Sequence, residues 1–206
     1  MELNQNIILY LSAYIISGIP FGLILAKLFG GVDIRKEGSG NIGATNVFRV
    51  LKQKDPKLAK KLSIITIFLD AIKGVVILAI AKALGADENV LWTIAVLSVI
   101  GHCFSPFLKF EGGKGVATSL GVFLFMLPIE TIIAVATWFI AGKILKISSL
   151  SSLIGLFVFV ISSFIIHPNI PGINTHAPIL IIAFIVFYKH IPNIIRLLKR
   201  EESRVV

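Results

Sequence analysis

The sequence has few charged residues, few carboxylates and a single cysteine, and each shortage excludes a class of protein. Only 15% of its 206 residues are charged, against roughly 25% in soluble domains, which excludes an ordinary soluble enzyme. The lone Cys103 rules out an intrachain disulfide. Four aspartates without clustered carboxylates or histidines do not make a metal-dependent phosphotransferase. We therefore expect no metal and no other cofactor.

Apolar residues make up 56% of the chain and occur in runs long enough to cross a bilayer. They predict one all-α domain over residues 1–206, a polytopic integral membrane helical bundle with seven transmembrane helices. The predicted spans are residues 7–29, 62–84, 90–108, 115–127, 129–144, 150–166 and 178–198. Ser17, Gly18 and Pro20 predict a kink in the first span. A bundle of five or six spans, with the fourth or seventh segment re-entrant, is the alternative.

The basic residues predict the orientation of the bundle. The net charge is +9, and lysines and arginines concentrate in the short segments between apolar runs. Membrane topology and anionic lipid explain that pattern better than nucleic acid does. If the basic segment 30–61 is cytoplasmic, Lys114 and the C-terminal tail lie on the same side, and the acidic Glu2, Asp87 and Glu88 lie on the other. The N-terminus is then outside and the C-terminus is cytoplasmic.

Three polar clusters fall at the cytoplasmic surface in this topology. In the first, residues 39–49, small residues accompany hydroxyls and amides, and small residues allow a backbone to approach an oxyanion closely. The alternative is an ordinary loop in which Thr45 or Asn46 starts a short helix. The candidate residues of this cluster are Ser39, Gly40, Asn41, Gly43, Thr45, Asn46 and Arg49.

The second cluster is a glycine-rich turn that opens the fourth span. Its candidate residues are Gly112, Gly113, Lys114, Gly115 and Thr118. Glycine amides beside a lysine at a helix N-terminus predict a phosphate cradle. The turn is not a nucleotide P-loop, because a glycine follows the lysine, and its alternative reading is a flexible hinge. His102 nearby is either a general base or a satisfied histidine at a helix end.

The third cluster consists of His190, Asn193 and Arg196, whose spacing of three places them on one face of a helix. Three polar residues on one stripe of a membrane helix favour a protein-lined polar site, although Arg196 alone would fit a snorkelling side chain. Asp70 and Lys73 lie one turn apart in the second span. Charges inside a membrane span suggest a functional role, but we favour a structural pair near the site, in which the two charges neutralise each other.

These residues resemble the bacterial acyl-phosphate:glycerol-3-phosphate acyltransferase family, the PlsY type. Segments 39–49, 101–118 and 190–202 resemble its three motifs, and segment 70–74 resembles a further signature. Ile42 stands where the family often has proline, and Arg200 where it often has glycine. The resemblance implies a seven-helix bundle in the bacterial inner (plasma) membrane, with the active site at the cytoplasmic face and neither metal nor acyl-CoA.

The resemblance also implies the reaction. An acyl group moves from acyl-phosphate to the 1-hydroxyl of glycerol 3-phosphate, giving lysophosphatidic acid and phosphate. The catalytic candidates, assigned mainly to the glycerol-phosphate side, are Ser39, Arg49, Lys114, His190, Asn193 and Arg196. The acyl-phosphate side receives Thr45, Asn46, Thr118 and the glycine turn, whose amides are expected to form an oxyanion hole. The expected partners are the two substrates and the lipid bilayer, without nucleic acid, and the expected state is a monomer.

A membrane transporter or exchanger of organic phosphates is the rival hypothesis. It would use the same anion-binding residues, but it should show repeat symmetry and broken helices at the midplane. The sequence has no internal repeat, and its polar clusters gather at one surface. Membrane acyltransferases with a His-x-x-x-x-Asp dyad are excluded, because none of the four histidines is followed by aspartate five residues later.

Overall fold

The computed structural model describes residues 3–204, and regular structure in that range is exclusively helical. Glu2, which carries part of the predicted N-terminal charge, lies outside the described residues. In chain order the helices are α1 (Leu3–Ser17), α2 (Phe21–Gly30), α3 (Ala44–Leu51), α4 (Pro56–Ala83), α5 (Glu88–Cys103), α6 (Val116–Met126), α7 (Pro128–Leu145), α8 (Ser148–Ile166), α9 (Ala177–Lys189) and α10 (Ile191–Leu198). A 3-10 turn, Pro106–Leu108, follows α5.

Five segments of the described chain are long and apolar enough to cross a membrane: Asn4–Gly30, Pro56–Ala83, Glu88–Leu108, Pro128–Leu145 and Ser148–Ile166. Helices α9 and α10 make a sixth if they are taken as one span, although they are bent by 52° at their junction. Helix α6 has only 11 residues, so it is about 16 Å long against about 30 Å of hydrocarbon. The predicted all-α membrane bundle is confirmed with five or six candidate spans, one or two fewer than predicted.

The helix ends follow local signals in the sequence. The predicted kink lies between α1 and α2, where Pro20 occupies the N-cap of α2. Helix α4 begins at Pro56 rather than at residue 62, because the side chain of Asp55 accepts hydrogen bonds from the amides of Lys57 and Leu58. The basic segment 30–61 is therefore partly helical, and it also contains α3.

That segment packs as a cap on one end of the bundle. Ile34, Val47, Leu51 and Leu62 belong to a buried apolar cluster formed by α2, α3, the start of α4 and the loop between α2 and α3. The loop approaches α2 so closely that a Cβ at Gly22 would lie 2.1 Å from the carbonyl oxygen of Ile42. A second apolar cluster fills the bundle around α5.

Side-chain hydrogen bonds fix the two ends of the bundle. At the capped end, Tyr14 Oη donates to the carbonyl of Phe104 at 2.9 Å, and Ser105 Oγ donates to the carbonyl of Gly18 at 2.6 Å. These bonds join the end of α1 to the end of α5. At the opposite end, the buried Glu130 contacts His167, which brings the start of α7 beside the end of α8.

Candidate active site

A cavity of about 340 Å³ lies where the cap meets the membrane bundle. Its polar part draws on all three predicted clusters, and its apolar part is formed by α6, α7 and α8. The predicted site residues that line it are Ser39, Asn41, Gly43, Thr45, Asn46, Arg49, His102, Lys114, Gly115, His190 and Asn193. Five others lie outside the lining: Gly40, Gly112, Gly113, Thr118 and Arg196. The structure thus brings segments distant in the chain to one place.

Asn46 shapes the first cluster. Its side chain is 1% exposed, and Nδ2 donates to the carbonyls of Ile34 at 2.9 Å and Asn41 at 2.8 Å. Its Oδ1 accepts from the amide of Ser39 at 2.9 Å. Both polar atoms are therefore engaged inside the protein, so a direct substrate contact through Asn46 is not supported. The short helix of the alternative reading is present as α3, although it begins at Ala44 after an N-cap at Gly43.

The glycine turn packs against the end of α5 and is not an open cradle. The amide of Gly112 donates to the carbonyl of Cys103 at 3.1 Å, and that of Gly113 to the carbonyl of His102 at 3.0 Å. A Cβ at Gly113 would lie 2.1 Å from His102 Nε2. The predicted oxyanion hole is wrong for these two amides, because they already have acceptors. Their lack of a side chain permits close packing on α5.

Helix α6 begins at the cavity, and its first hydroxyl points away from it. Thr118 is fully buried, and its Oγ1 donates to the carbonyl of Asp70 at 2.9 Å. Thr118 was predicted to contact the substrate, but its hydroxyl instead joins α6 to α4 through this hydrogen bond. Ser119 lines the cavity instead. Ser119 shares a helix face with Val116 and Phe123, but α6 is apolar on all sides, so no pattern in the sequence could have distinguished Ser119 from Thr118.

Asp70, Lys73 and His102 form a buried polar group beside the cavity. Lys73 Nζ lies 2.9 Å from Asp70 Oδ1 and 2.7 Å from His102 Nδ1. The predicted pairing of Asp70 with Lys73 is present, and His102 joins it. Lys73 engages His102 Nδ1. This contact fits the interpretation of His102 as a satisfied histidine at a helix end better than its interpretation as a general base.

The third cluster lies at the junction of two helices rather than on one straight helix. His190 sits between α9 and α10, where the chain bends by 52°. His190 Nδ1 lies 2.7 Å from the carbonyl of Val186. Nδ1 therefore donates, and Nε2 is left as an acceptor. Asn193 is buried in the cavity wall, and its Nδ2 donates to Glu202 Oε1 at 2.6 Å.

Glu202, in the tail after α10, lines the cavity and was not among the residues predicted from the sequence. Its carboxylate accepts hydrogen bonds from Ser149, Asn193 and Arg196 at 2.6–2.7 Å. Partial burial acts to raise its pKa, but the three donors outweigh that effect and hold the pKa below its usual value. The motif resemblance extends to Glu202. No pattern in the sequence pointed to Ser149.

Two cations in the cavity wall have no carboxylate partner within residues 3–204: Arg49 and Lys114. Burial lowers the pKa of Lys114 to about 8, with Glu202 opposing the shift and the charges of Arg196 and Arg49 adding to it. Such a group binds a phosphate strongly when it is protonated, because the site is partly desolvated. Within the same residues, no three His, Cys, Asp or Glu side chains are grouped to hold a metal ion.

The apolar part of the cavity runs along α6 and α8 towards the middle of the bundle. It is lined by Leu120, Phe123, Trp138, Leu156 and Phe159, among others. Phe123 and Phe159 are buried and stacked, with ring centroids 4.0 Å apart. Trp138 of α7 is 40% exposed. The cavity is therefore suited to an amphiphile with an anionic head and an apolar chain.

Known proteins similar to the chain agree with this chemistry. The family model described as glycerol-3-phosphate acyltransferase matches residues 7–200. The glycerol-3-phosphate acyltransferases of Campylobacter concisus and of a Nitratiruptor species are 64% and 59% identical over 202 residues. Each alignment covers 98% of this chain, with 100% and 97% of the respective relative.

Solved structures agree as well. The crystal structure of PlsY (YgiH), an integral membrane glycerol 3-phosphate acyltransferase, in its glycerol 3-phosphate form is similar with a TM-score of 0.86 and 36% identity. The same protein in its lysophosphatidic acid form is similar with a TM-score of 0.80 and 34% identity. Both comparisons cover 97% of this chain and 95% of the solved chain.

Proposed function

The chain belongs to the glycerol-3-phosphate acyltransferase family, and we propose that it transfers a fatty acyl group from acyl-phosphate to the 1-hydroxyl of glycerol 3-phosphate. The products are lysophosphatidic acid and inorganic phosphate. One observation carries the proposal: Arg49 and Lys114, which have no carboxylate partner among the described residues, line the same cavity as an apolar groove that reaches Phe123 and Phe159. Both substrates bear a phosphate, and one of them also bears an acyl chain.

The cations hold the two phosphates close together. Arg49 offers a planar fork for bidentate contacts, and Lys114 offers a compact charge at the start of α6. Ser39 and Thr45 add hydroxyls to the same wall. Bringing both substrates into one water-poor pocket replaces a bimolecular encounter by an oriented one, which supplies much of the rate enhancement in such reactions.

The bond changes need no protein nucleophile. The 1-hydroxyl oxygen of glycerol 3-phosphate forms a bond to the acyl carbonyl carbon, and the bond between that carbon and the phosphate oxygen breaks. The phosphate leaves with the electron pair, and it takes up the proton that the hydroxyl loses. His190 Nε2, free to accept because Nδ1 donates to Val186, orients the attacking hydroxyl.

The acyl chain lies in the apolar groove, where Leu120, Leu156 and Trp138 contact it. The partial exposure of Trp138 on α7 supports a groove that opens sideways, and in this proposal the chain of the donor enters from the bilayer and the product leaves to it. A substrate of this kind does not have to pass through water. The pocket thus serves a reaction between a soluble molecule, glycerol 3-phosphate, and a lipid.

The proposed topology is seven crossings in the bacterial inner (plasma) membrane, with the N-terminus outside and the cavity at the cytoplasmic face. Three observations support it. Helix α1 ends at the cavity side of the bundle and α10 lies there as well, which fits an odd number of crossings. Helix α6 leads from the cavity towards the end where Glu130 meets His167. Basic residues lie at the cavity end, as the positive-inside rule requires of a cytoplasmic face. The proposed state of the protein is a monomer.

In the deciding experiment, purified protein is incubated with glycerol 3-phosphate and one of two acyl donors. One reaction contains palmitoyl-phosphate and the other contains palmitoyl-CoA. Phosphate release and lysophosphatidic acid formation in equal amounts, from palmitoyl-phosphate only, are the expected result. Turnover of palmitoyl-CoA would contradict the proposed donor. Exchange of phosphate across vesicles without any lysophosphatidic acid would favour the transporter hypothesis.

A further inference from the structure

The hydroxyl of Ser119 is buried in the cavity wall with no hydrogen-bond partner among the described residues. The residue is 5% exposed, so a partner for its hydroxyl has to come from the cavity rather than from the outer surface of the protein. A buried hydroxyl without a partner is unfavourable unless a ligand satisfies it. We propose that Ser119 Oγ–H, together with the first backbone amides of α6, holds the acyl carbonyl oxygen of the donor as an oxyanion hole. This inference rests on the proposed function.

The position of Ser119 along α6 fits the carbonyl of an acyl-phosphate. Lys114 lies just before the helix, and Leu120 and Phe123 lie further along it, all in the same cavity lining. The carbonyl carbon of the donor joins its phosphate to its acyl chain. A hydroxyl between the cationic and apolar parts of the lining is therefore next to the acyl carbonyl group, whose oxygen gains negative charge in the transition state.

The backbone supplies further donors at the same place. Gly115, Val116 and Ala117 line the cavity, and Gly115 is the N-cap of α6 with φ +83°. Amides in the first turn of a helix have no acceptor within the helix, and the helix dipole favours negative charge there. Gly112 and Gly113 cannot take this role, because their amides are bonded to carbonyls of α5. We therefore place the oxyanion hole at the start of α6 rather than in the glycine turn, where the sequence had predicted it.

Ser119→Ala separates this role from a structural one. The hydroxyl makes no bond within the described part of the chain, so its removal should not lower the melting temperature. The matched control is Ser98→Ala, because Ser98 is also fully buried and its Oγ also lacks a partner among residues 3–204, yet it does not line the cavity. Thr118→Val serves as the structural contrast, since it breaks the bond to the Asp70 carbonyl and should lower the melting temperature.

The assay measures release of phosphate from palmitoyl-phosphate with varied glycerol 3-phosphate, alongside the melting temperature in detergent. We expect Ser119→Ala to lose about 10²-fold in kcat, the usual effect of removing one oxyanion donor. The KM values for both substrates and the melting temperature should stay at wild-type levels, since the bond strengthens only in the transition state. Ser98→Ala should match the wild type throughout.

Each other outcome overturns the inference. Wild-type turnover in Ser119→Ala would show that the hydroxyl does not reach the reacting carbonyl. A rise only in the KM for glycerol 3-phosphate would assign Ser119 to the other substrate. A drop in melting temperature, or an equal loss of activity in Ser98→Ala, would show a packing effect. If the wild-type protein releases no phosphate from palmitoyl-phosphate, the proposed function fails first, and the inference fails with it.

Discussion

The guanidinium of Arg196 donates from Nε to a carboxylate oxygen of Glu202 at 2.6 Å. Glu202 also accepts from Ser149 and Asn193, so one carboxylate joins α8, α10 and the tail at the rim of the cavity. The bond explains why Arg196 does not line the cavity although it stands beside it. It orients the Arg196 side chain through Nε alone, so the predicted role of its other guanidinium N–H groups in binding glycerol phosphate stays a prediction.

The first prediction concerns Glu202→Gln. A neutral amide cannot accept from all three donors, because its own NH₂ faces one of them. We expect kcat/KM for glycerol 3-phosphate to fall about 10-fold, since Asn193 loses its orientation. The loss of the negative charge should also lower the pKa of Lys114 further, because Glu202 acts to raise it. Steady-state kinetics over a pH series measures both effects. An unchanged pH profile would show that the carboxylate does not act on Lys114.

The second prediction concerns pH. The pKa of Lys114 is lowered to about 8, so the side chain is protonated below that pH and neutral above it. Because the ammonium form binds phosphate, kcat/KM should decrease as the pH rises through about 8. Lys114→Arg, which stays charged, should lack this decrease even if its maximal rate is lower. A decrease that persists in Lys114→Arg would assign the titration to another group.

The third prediction concerns Asn46→Ala. The substitution removes the side chain that bonds the carbonyls of Ile34 and Asn41 and the amide of Ser39. Buried backbone groups are then left unsatisfied, at a cost of roughly 2–4 kcal/mol. We expect a lower melting temperature and weaker binding of both substrates. Asn89→Ala is the control, because Asn89 is exposed at the opposite end. A stable Asn46→Ala protein with an altered KM for one substrate would restore the direct contact inferred from the sequence.

The fourth prediction concerns the acyl chain. Leu156→Trp adds bulk in the groove lined by Leu156, Phe159 and Trp138. Long-chain acyl-phosphates should lose at least about 10-fold in kcat/KM relative to short ones, because the overfilled groove excludes the end of the chain. Phe157→Trp is the matched control, since Phe157 lies on the same helix, is 65% exposed and does not line the cavity. An equal loss for all chain lengths would place the chain elsewhere.

From the sequence it was possible to predict that the three polar clusters meet at one end of the bundle, but not which way each side chain points. Helical spans and charge bias were sufficient to bring Arg49, Lys114 and His190 to one end of a bundle, because topology alone decides the end at which a loop lies. Thr118 and Ser119 differ by about 100° around α6, and only the packing of α6 on α4 decides which of them faces the cavity.

Tertiary hydrogen bonds were the least predictable part. The amides of Gly112 and Gly113 were expected to be open, and the carbonyls that engage them come from the end of α5. The bend at His190 has a similar cause, because Pro192 follows it closely and favours a new helix start. The length of α6, 11 residues, is close to the predicted span 115–127. Hydropathy alone does not show whether a helix this short crosses the membrane.

The most direct test of phosphate binding in the cavity is turnover by Lys114→Ala, compared with Lys54→Ala, in which an exposed lysine at the same end is removed. Phosphate release from palmitoyl-phosphate, with glycerol 3-phosphate as acceptor, is measured on purified protein that is shown to be folded in detergent. We expect Lys114→Ala to be folded but inactive, whereas Lys54→Ala should retain wild-type activity. Near-wild-type turnover by folded Lys114→Ala would contradict the claim that this cavity holds the two phosphates during acyl transfer.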